Sequence, residues 1–591
     1  MRIRRLLAIG LLISLTGCTG PTPTPTVPVG LTQTPPPTST SVVSPDQVSG
    51  VVVDPGGPVA GATVRIQATA NQTTTDAAGR FTLTGLRPGV PVTVSAWKDG
   101  YYCTKMEGVT PPTSAVSLTL RRYQTNDNSS YVWVAPTGEN SCYSCKPGVT
   151  QVWLDNDAHG RTAANPRFLT MYNGTDVKGN ASPPTRYGSS RDYGRVPLRP
   201  DPSQPYYGPG YKLDFPDAAG NCAACHIPGA AVDAPYDTDP NKVSGVNTFG
   251  VHCDFCHKVA DVKLNPATGL PFPNMPGVLS MDIRRPFPKD QDRYQLFFGT
   301  FDDDNVPQED TYLPVIRESR FCAPCHLGVF WDTVVYNSFG EWLASPYSDP
   351  AGGKTCQQCH TPAPTLLNGK PLTNVAPGQG GVERDPMTIP AHTFPGAANE
   401  ELLQNAVTMT ATARLEGSAV VVQVTITNDR TGHHVPTDSP LRHLILVVQA
   451  SDAGGSPLKQ LAGPIVPEWG GAGDPAQGYY AGLAGKAFAQ VLQELWTEVT
   501  PTGAYWNPTR VVSDNRLAAL ATDTSIYTFA APEQGQAAVE VTLIFRRAFK
   551  TLMDQKGWEA PDILMEQVAV RIPSRSSRQP GVLPNSGPTT R

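Results

Sequence analysis

The chain has 591 residues, with 60 prolines, 54 glycines, 16% charged residues and a formal net charge of -5 at pH 7. That length exceeds what a single hydrophobic core supports, so several domains are expected. The small charge gives no ground for a nucleic-acid partner. The Pro and Gly content argues against a helical bundle and for β modules joined by irregular segments.

Residues 1–18 have the pattern of a bacterial export signal. Arg2, Arg4 and Arg5 form a basic head, and Leu6–Leu15 is an apolar run too short to span a bilayer. The run ends in Leu15-Thr16-Gly17-Cys18, which resembles the lipobox of bacterial lipoproteins. That resemblance implies cleavage before Cys18 and its lipidation. The expected location is extracytoplasmic and lipid-anchored, at the periplasmic or cell-surface face of a bacterial membrane. An ordinary secretory signal with a chance cysteine is the alternative. Residues 19–46, rich in Pro and Thr and almost without large apolar side chains, read as an extended tether.

From residue 47 to 123 short alternating runs predict strands at Val51–Val53, Ala62–Ile66, Arg80–Leu83, Val92–Val94 and Val116–Leu120. The stretches Gly50-Val51-Val52-Val53-Asp54, Val59-Ala60-Gly61-Ala62 and Thr75–Phe81 resemble the carboxypeptidase regulatory-like domain. The resemblance implies a β-sandwich acting as a spacer or adhesive unit, and nothing in the stretch points to a peptidase. Cys103 reads as a buried thiol of this domain.

Residues 124–406 carry ten of the twelve cysteines, in five Cys-x-x-Cys motifs. Four continue with histidine: Cys222-Ala-Ala-Cys225-His226, Cys253-Asp-Phe-Cys256-His257, Cys322-Ala-Pro-Cys325-His326 and Cys356-Gln-Gln-Cys359-His360. The first reads Cys142-Tyr-Ser-Cys145-Lys146. Cys-x-x-Cys-His is the attachment pattern of c-type haem: the thiols bond the haem and the next residue becomes the proximal iron ligand. Structural zinc also uses paired Cys-x-x-Cys motifs, but it gives no reason for a histidine directly after the second cysteine. With only ten histidines in the chain, four such placements point to haem c. Five haems are expected, or four if the Cys142–Lys146 motif is empty. Periodicity is poor across this segment, as expected where haems supply the apolar core.

Residues 407–576 return to strands, at Val420–Ile426, Leu444–Val448 and Val539–Phe545, with a helical insertion expected near Ala487–Glu498. Residues 577–591 read as a disordered tail. The fold class is therefore multidomain: a β-sandwich, then an irregular, α-containing, haem-packed cytochrome domain, then a second β-sandwich.

The motif order, Trp153…His159, and Gly340-Glu341-Trp342…Ser345-Pro346-Tyr347 before the fifth motif resemble the multihaem c-type cytochrome superfamily. That superfamily includes ammonia-forming nitrite reductase, hydroxylamine oxidoreductase and octahaem tetrathionate reductase. The resemblance implies distal iron ligation by His159, by His392 in Ala391-His392-Thr393-Phe394-Pro395-Gly396, and by His433 in Gly432-His433-His434-Val435-Pro436-Thr437. His252, directly before Cys253, reads as a ligand of a neighbouring haem or else a packing or propionate contact, His434 as a surface or packing residue and His443 as a strand residue. Four distal histidines would then close the four His-ligated haems and leave the Lys146 haem without one.

In the resembling nitrite reductases a lysine-ligated haem in this first position is catalytic. Three readings of Lys146 stand: an open catalytic haem, a low-spin electron-transfer haem, or a motif whose cysteines form a disulfide. The reductases also have a histidine between their third and fourth motifs, and no histidine lies between His257 and His326 here. The expected function is electron transfer to redox partner proteins or an external acceptor, with membrane contact through the lipid. The alternative is reduction of a small nitrogen or sulfur oxyanion, with Lys146 catalytic.

Overall fold

The computed structural model describes residues 44–156, 158–287, 295–307, 309–533 and 535–573. The export signal with Cys18, the tether up to residue 43 and the tail from 577 lie outside the described residues.

The N-terminal region is built from two four-stranded sheets. In one, Val48–Asp54 is flanked by Arg80–Leu83 (antiparallel) and Thr113–Thr119 (parallel), with Gly57–Pro58 beyond. The other runs Gln72–Thr74, Thr63–Ile66, Val92–Trp97, Thr104–Val109. Side chains alternate as the period-2 pattern requires: Phe81 and Leu83 are buried while Arg80 and Thr82 face out. Val52, Val64, Val94 and Leu118 meet in the core between the sheets. Gly50 is needed because a Cβ there would sit 2.1 Å from the Val116 carbonyl on the parallel neighbour.

The Cys-x-x-Cys segment has short helices, 3-10 turns and two-stranded ribbons. Four motifs nucleate a single helical turn each: Cys142–Cys145, Ala223–His226, Cys253–Cys256 and Cys356–His360. Thr355 caps the last of these turns by accepting from Gln358 N–H.

The C-terminal region again has two four-stranded sheets, ordered Thr408–Glu416, Ala419–Thr427, Thr522–Ala530, Gln460–Ala462 and Gly485–Phe488, His443–Asp452, Ala537–Arg546, Ile563–Ile572. Val420, Val422 and Val424 from the first meet Leu444, Leu446, Val541 and Leu543 from the second. The helical insertion expected near Ala487–Glu498 is instead strand, at Gly485–Phe488 and Gln490–Glu494. Phe488, Ala489, Val491 and Leu492 are all buried, and a run buried on both faces carries no period that separates strand from helix. The pairing of Leu444 with Phe488 and of Gln490 with Asp514 decides it.

The helix Lys550–Lys556 pins this region to the Cys-x-x-Cys segment. The fully buried Lys556 donates to the carbonyls of Thr170 (3.0 Å), Thr175 (3.1 Å) and Pro209 (2.6 Å). Among the described residues no helix is long and apolar enough to cross a membrane.

Candidate haem centres

All ten histidines lie among the described residues, and six of them face one another in three pairs. The ring centroids of His257 and His392 are 6.4 Å apart, those of His326 and His159 6.2 Å, and those of His360 and His433 6.3 Å. Each pair joins the histidine that follows a Cys-x-x-Cys to one from a distant stretch. Two imidazoles bound to one metal from opposite sides, each through a bond of about 2 Å, place their centroids about 6 Å apart. The three spacings fit that arrangement and leave no room for a direct hydrogen bond between the rings.

The tautomers fit as well. Nδ1 of His257 meets the Phe298 carbonyl at 2.5 Å, Nδ1 of His360 the Pro395 carbonyl at 2.8 Å, Nδ1 of His392 the Pro390 carbonyl at 3.1 Å, and Nδ1 of His433 the His434 carbonyl at 2.9 Å. A carbonyl can only accept, so Nδ1 carries the proton and the Nε2 lone pair is left for a metal. Burial pulls His257 down to about 3 and His360 to about 4, so both are neutral, as ligation requires. His326 differs. Burial lowers it, but the Asp438 carboxylate 3.7 Å from Nδ1 outweighs burial and holds it up at about 9.

One segment serves three centres. In Pro390–Pro395, His392 faces His257, Phe394 lies edge-on to both His159 (5.0 Å) and His392 (6.5 Å), and the Pro395 carbonyl orients His360. Phe394 has φ +41°, a region that bulky residues rarely enter, and its ring is held between the two imidazoles.

Lys146 is placed differently. Its ammonium lies 3.0 Å from the Asp310 carboxylate and 4.5 Å from the centre of the Phe297 ring. The parallel ribbon Phe297–Gly299/Asp310–Tyr312 sets Phe297 opposite Asp310, so both of its strands hold Lys146 while the Phe298 carbonyl orients His257. Phe297 also stacks on His257 at 3.8 Å. Cys142 and Cys145 are thiols with no disulfide between them.

The thiols show how the motifs adjoin. Cys142 is within hydrogen-bonding reach of Cys253, Cys225 of Cys325, and Cys322 of Cys356. The first and third motifs are thereby neighbours, and so are the second, fourth and fifth, with the fourth between the other two.

His226, the histidine of the second motif, belongs to none of these three pairs, although His159 also lies in its electrostatic surroundings. Its ring stacks on Phe168 at 4.0 Å. His252, expected to ligate a neighbouring haem, caps the helix Cys253–Cys256 instead, with Nδ1 accepting from Phe255 N–H at 3.2 Å. A neutral ring whose Nδ1 accepts carries its proton on Nε2, which removes the lone pair a metal would use. That Nε2 is buried against Gly229. His443 is buried in the C-terminal region between Phe549 and Trp469. Nδ1 of His434 is 3.5 Å from Glu341.

Glu341 explains the Gly340-Glu341-Trp342 stretch. Its buried carboxylate accepts from His434 N–H at 3.2 Å and pairs with Arg516 at 2.8 Å, fixing the loop that presents His433. Gly432 packs so closely on Tyr347 and Trp342 that a Cβ would lie 3.0 and 3.2 Å from them. Among the described residues no group of three or more His, Cys, Asp or Glu side chains has the arrangement of a protein-only metal site. A haem held between two paired histidines would need none, since the haem ring would supply the remaining donors.

Residues 47–121 match the carboxypeptidase regulatory-like domain family. No curated protein matches the chain. Among solved structures, a penta-haem cytochrome c552 from Thermochromatium tepidum is similar over 73% of this chain and 97% of its own, at 20% identity and a TM-score of 0.47. A chain of a type II cohesin–X-dockerin complex from Acetivibrio cellulolyticus is similar over 13% of this chain and 58% of its own, at 22% identity and a TM-score of 0.12.

Proposed function

We propose that the chain is an extracytoplasmic multihaem c-type cytochrome, anchored by lipid at Cys18, that passes electrons between redox partner proteins or to an external acceptor. The observation that carries this reading is the spacing of the three histidine pairs, each joining a Cys-x-x-Cys-His imidazole to a distant one at 6.2 to 6.4 Å. Cys142, Cys145, Cys222, Cys225, Cys253, Cys256, Cys322, Cys325, Cys356 and Cys359 would hold five haems. His257/His392, His326/His159 and His360/His433 would be axial pairs, with His226 and Lys146 on the proximal side of the other two. Bound haem supplies reversible one-electron chemistry at iron. The chain contributes imidazole orientation through backbone carbonyls, burial that keeps the His257 and His360 rings neutral, and neighbouring motifs.

Intact mass and electron paramagnetic resonance of the oxidised protein test this. Five haems with at least three bis-histidine low-spin signals are expected, and an absence of covalent haem refutes the reading. One observation favours a second reading, reduction of a small nitrogen or sulfur oxyanion at the first motif: none of the three pairs includes Lys146. Lys146→His abolishes nitrite or hydroxylamine reduction on that reading, and a wild type without such activity ends it.

A further inference from the structure

Resting on the haem reading above, we infer that Asp438 is a positioning residue of the Cys322–His326 centre: its carboxylate stands behind the His326 ring and lowers the reduction potential there. Four of the paired imidazoles set Nδ1 against a backbone carbonyl: His257 at 2.5 Å, His360 at 2.8 Å, His433 at 2.9 Å and His392 at 3.1 Å. His326 instead sets Nδ1 against a charge, with Oδ1 of Asp438 3.7 Å away. A carbonyl is a neutral dipole. A carboxylate is a full negative charge, and at this range in a part-buried site water screens it only partly. The Asp438 side chain is 24% exposed. Negative charge behind a proximal ring favours the oxidised, more positive form of the metal and makes the ring a stronger donor. Both effects lower the potential.

The fold holds that carboxylate in place. Asp438 has φ +67°, in the left-handed region that Asp and Asn enter more readily than bulkier residues. Just before it, Thr437 donates its hydroxyl to the buried Glu341 carboxylate. Arg442 grips both residues: Nη1 donates to the Thr437 carbonyl at 3.1 Å, and Nη2 pairs with Oδ2 of Asp438 at 3.3 Å. The two carboxylate oxygens are thus divided, one toward the arginine and one toward the histidine. Arg442 fixes Asp438 and also offsets part of its charge, so the two side chains act on the centre in opposite senses. The same loop carries His433 to the His360 ring. One connection of the C-terminal sheets would therefore give a ligand to one centre and a charge to another.

Potentiometric titration of the full haem-loaded chain, followed optically and by electron paramagnetic resonance, tests this. Asp438→Asn keeps the side-chain shape and tolerates the same φ while deleting the charge. One potential is expected to rise above its wild-type value, with the haem count and the low-spin signals retained. The second-motif centre, whose His226 also feels the Asp438 charge, moves less. Arg442→Gln shifts the same potential the other way, downward, and a merely structural role would not give opposite signs. In a full chain carrying Cys322→Ser and Cys325→Ser, adding Asp438→Asn produces no comparable rise. Unchanged potentials in Asp438→Asn, with its haems in place, overturn the inference and leave the haem reading intact. A rise that persists undiminished without the fourth motif overturns it as well. If Asp438→Asn does not retain its haems, Arg442→Gln decides, and a potential that fails to fall overturns the inference. A wild type without covalent haem refutes the haem reading itself.

Discussion

The N-terminal β domain meets the Cys-x-x-Cys segment along residues 295–315 and contains no histidine at all. Its Trp97 indole donates to the Tyr312 carbonyl at 3.1 Å, its Tyr101 carbonyl accepts from Thr311 at 2.6 Å, and Tyr102 and Tyr123 pack with Phe298 and Leu313. The C-terminal sheets instead send the loop Gly432–Asp438 into the segment, placing the His433 ring opposite His360 and Asp438 beside His326. Both regions are two-sheet β structures, so architecture alone does not decide whether a module supports the Cys-x-x-Cys segment or completes it. The difference lies in one loop, where a glycine lets the backbone approach Tyr347 and Trp342 and the next residue is a histidine.

The largest effect expected from this contrast is at His433. His433→Ala removes the ring opposite His360 and converts one low-spin centre to high-spin, with new binding of carbon monoxide on reduction. Electron paramagnetic resonance reads it directly. An unchanged low-spin count would mean that the C-terminal region, like the N-terminal one, only supports the segment.

Lys556 tests another tie between the C-terminal region and the segment. Burial pulls its ammonium from the usual 10.5 down to about 7, with Asp176 opposing. Between those values the unfolded chain holds a proton that the folded chain releases, so stability rises with pH through that window. The rise amounts to several kcal/mol, on the order of 1.4 kcal/mol for each tenfold loss of proton affinity on folding. Lys556→Met removes this group, and urea unfolding at about pH 7 and about pH 10 is expected to show a smaller gain than in the wild type. Equal gains would show that Lys556 keeps its proton against the three carbonyls throughout.

Gly432→Val probes the close approach itself. The added side chain collides with Tyr347 and Trp342, and overpacking of this kind costs about 1–3 kcal/mol. Because the loop must move to relieve it, the His433 low-spin signal is expected to broaden or split as the protein loses stability. A loss of stability with an unaltered signal would place the strain elsewhere.

How much of this is legible in the sequence follows from which groups carry it. The five motifs are visible because the chemistry uses side chains at fixed spacing, and the strands of residues 47–123 because one face of each alternates with solvent. The pairing of rings is not visible, because the partners lie 73 to 167 residues apart in the chain; His257 to His392, for example, spans 135 positions. The carbonyls of Phe298, Pro390 and Pro395 leave no mark at all, since any residue supplies one. His252 misleads for a related reason. A histidine before Cys-x-x-Cys reads as a ligand until its Nδ1 is seen to cap the helix. The run Ala487–Glu498 fails where burial on both faces erases the period.

The smallest effect is expected on the N-terminal side. Trp97→Phe keeps an aromatic ring against Tyr312, now 4.8 Å away edge-on, and deletes only the hydrogen bond to the Tyr312 carbonyl. One such bond contributes about 0.5–1.5 kcal/mol, so the melting temperature falls by a few degrees at most. The ribbon keeps its register, because Phe297 still pairs with Asp310 and Gly299 with Tyr312. Asp310 therefore stays at Lys146 and the Phe298 carbonyl at His257. The spectra of the first and third centres should be those of the wild type. If instead their potentials or spin states move, the seam transmits position to Lys146 and His257, and the N-terminal domain tunes the centres it touches without supplying a ligand.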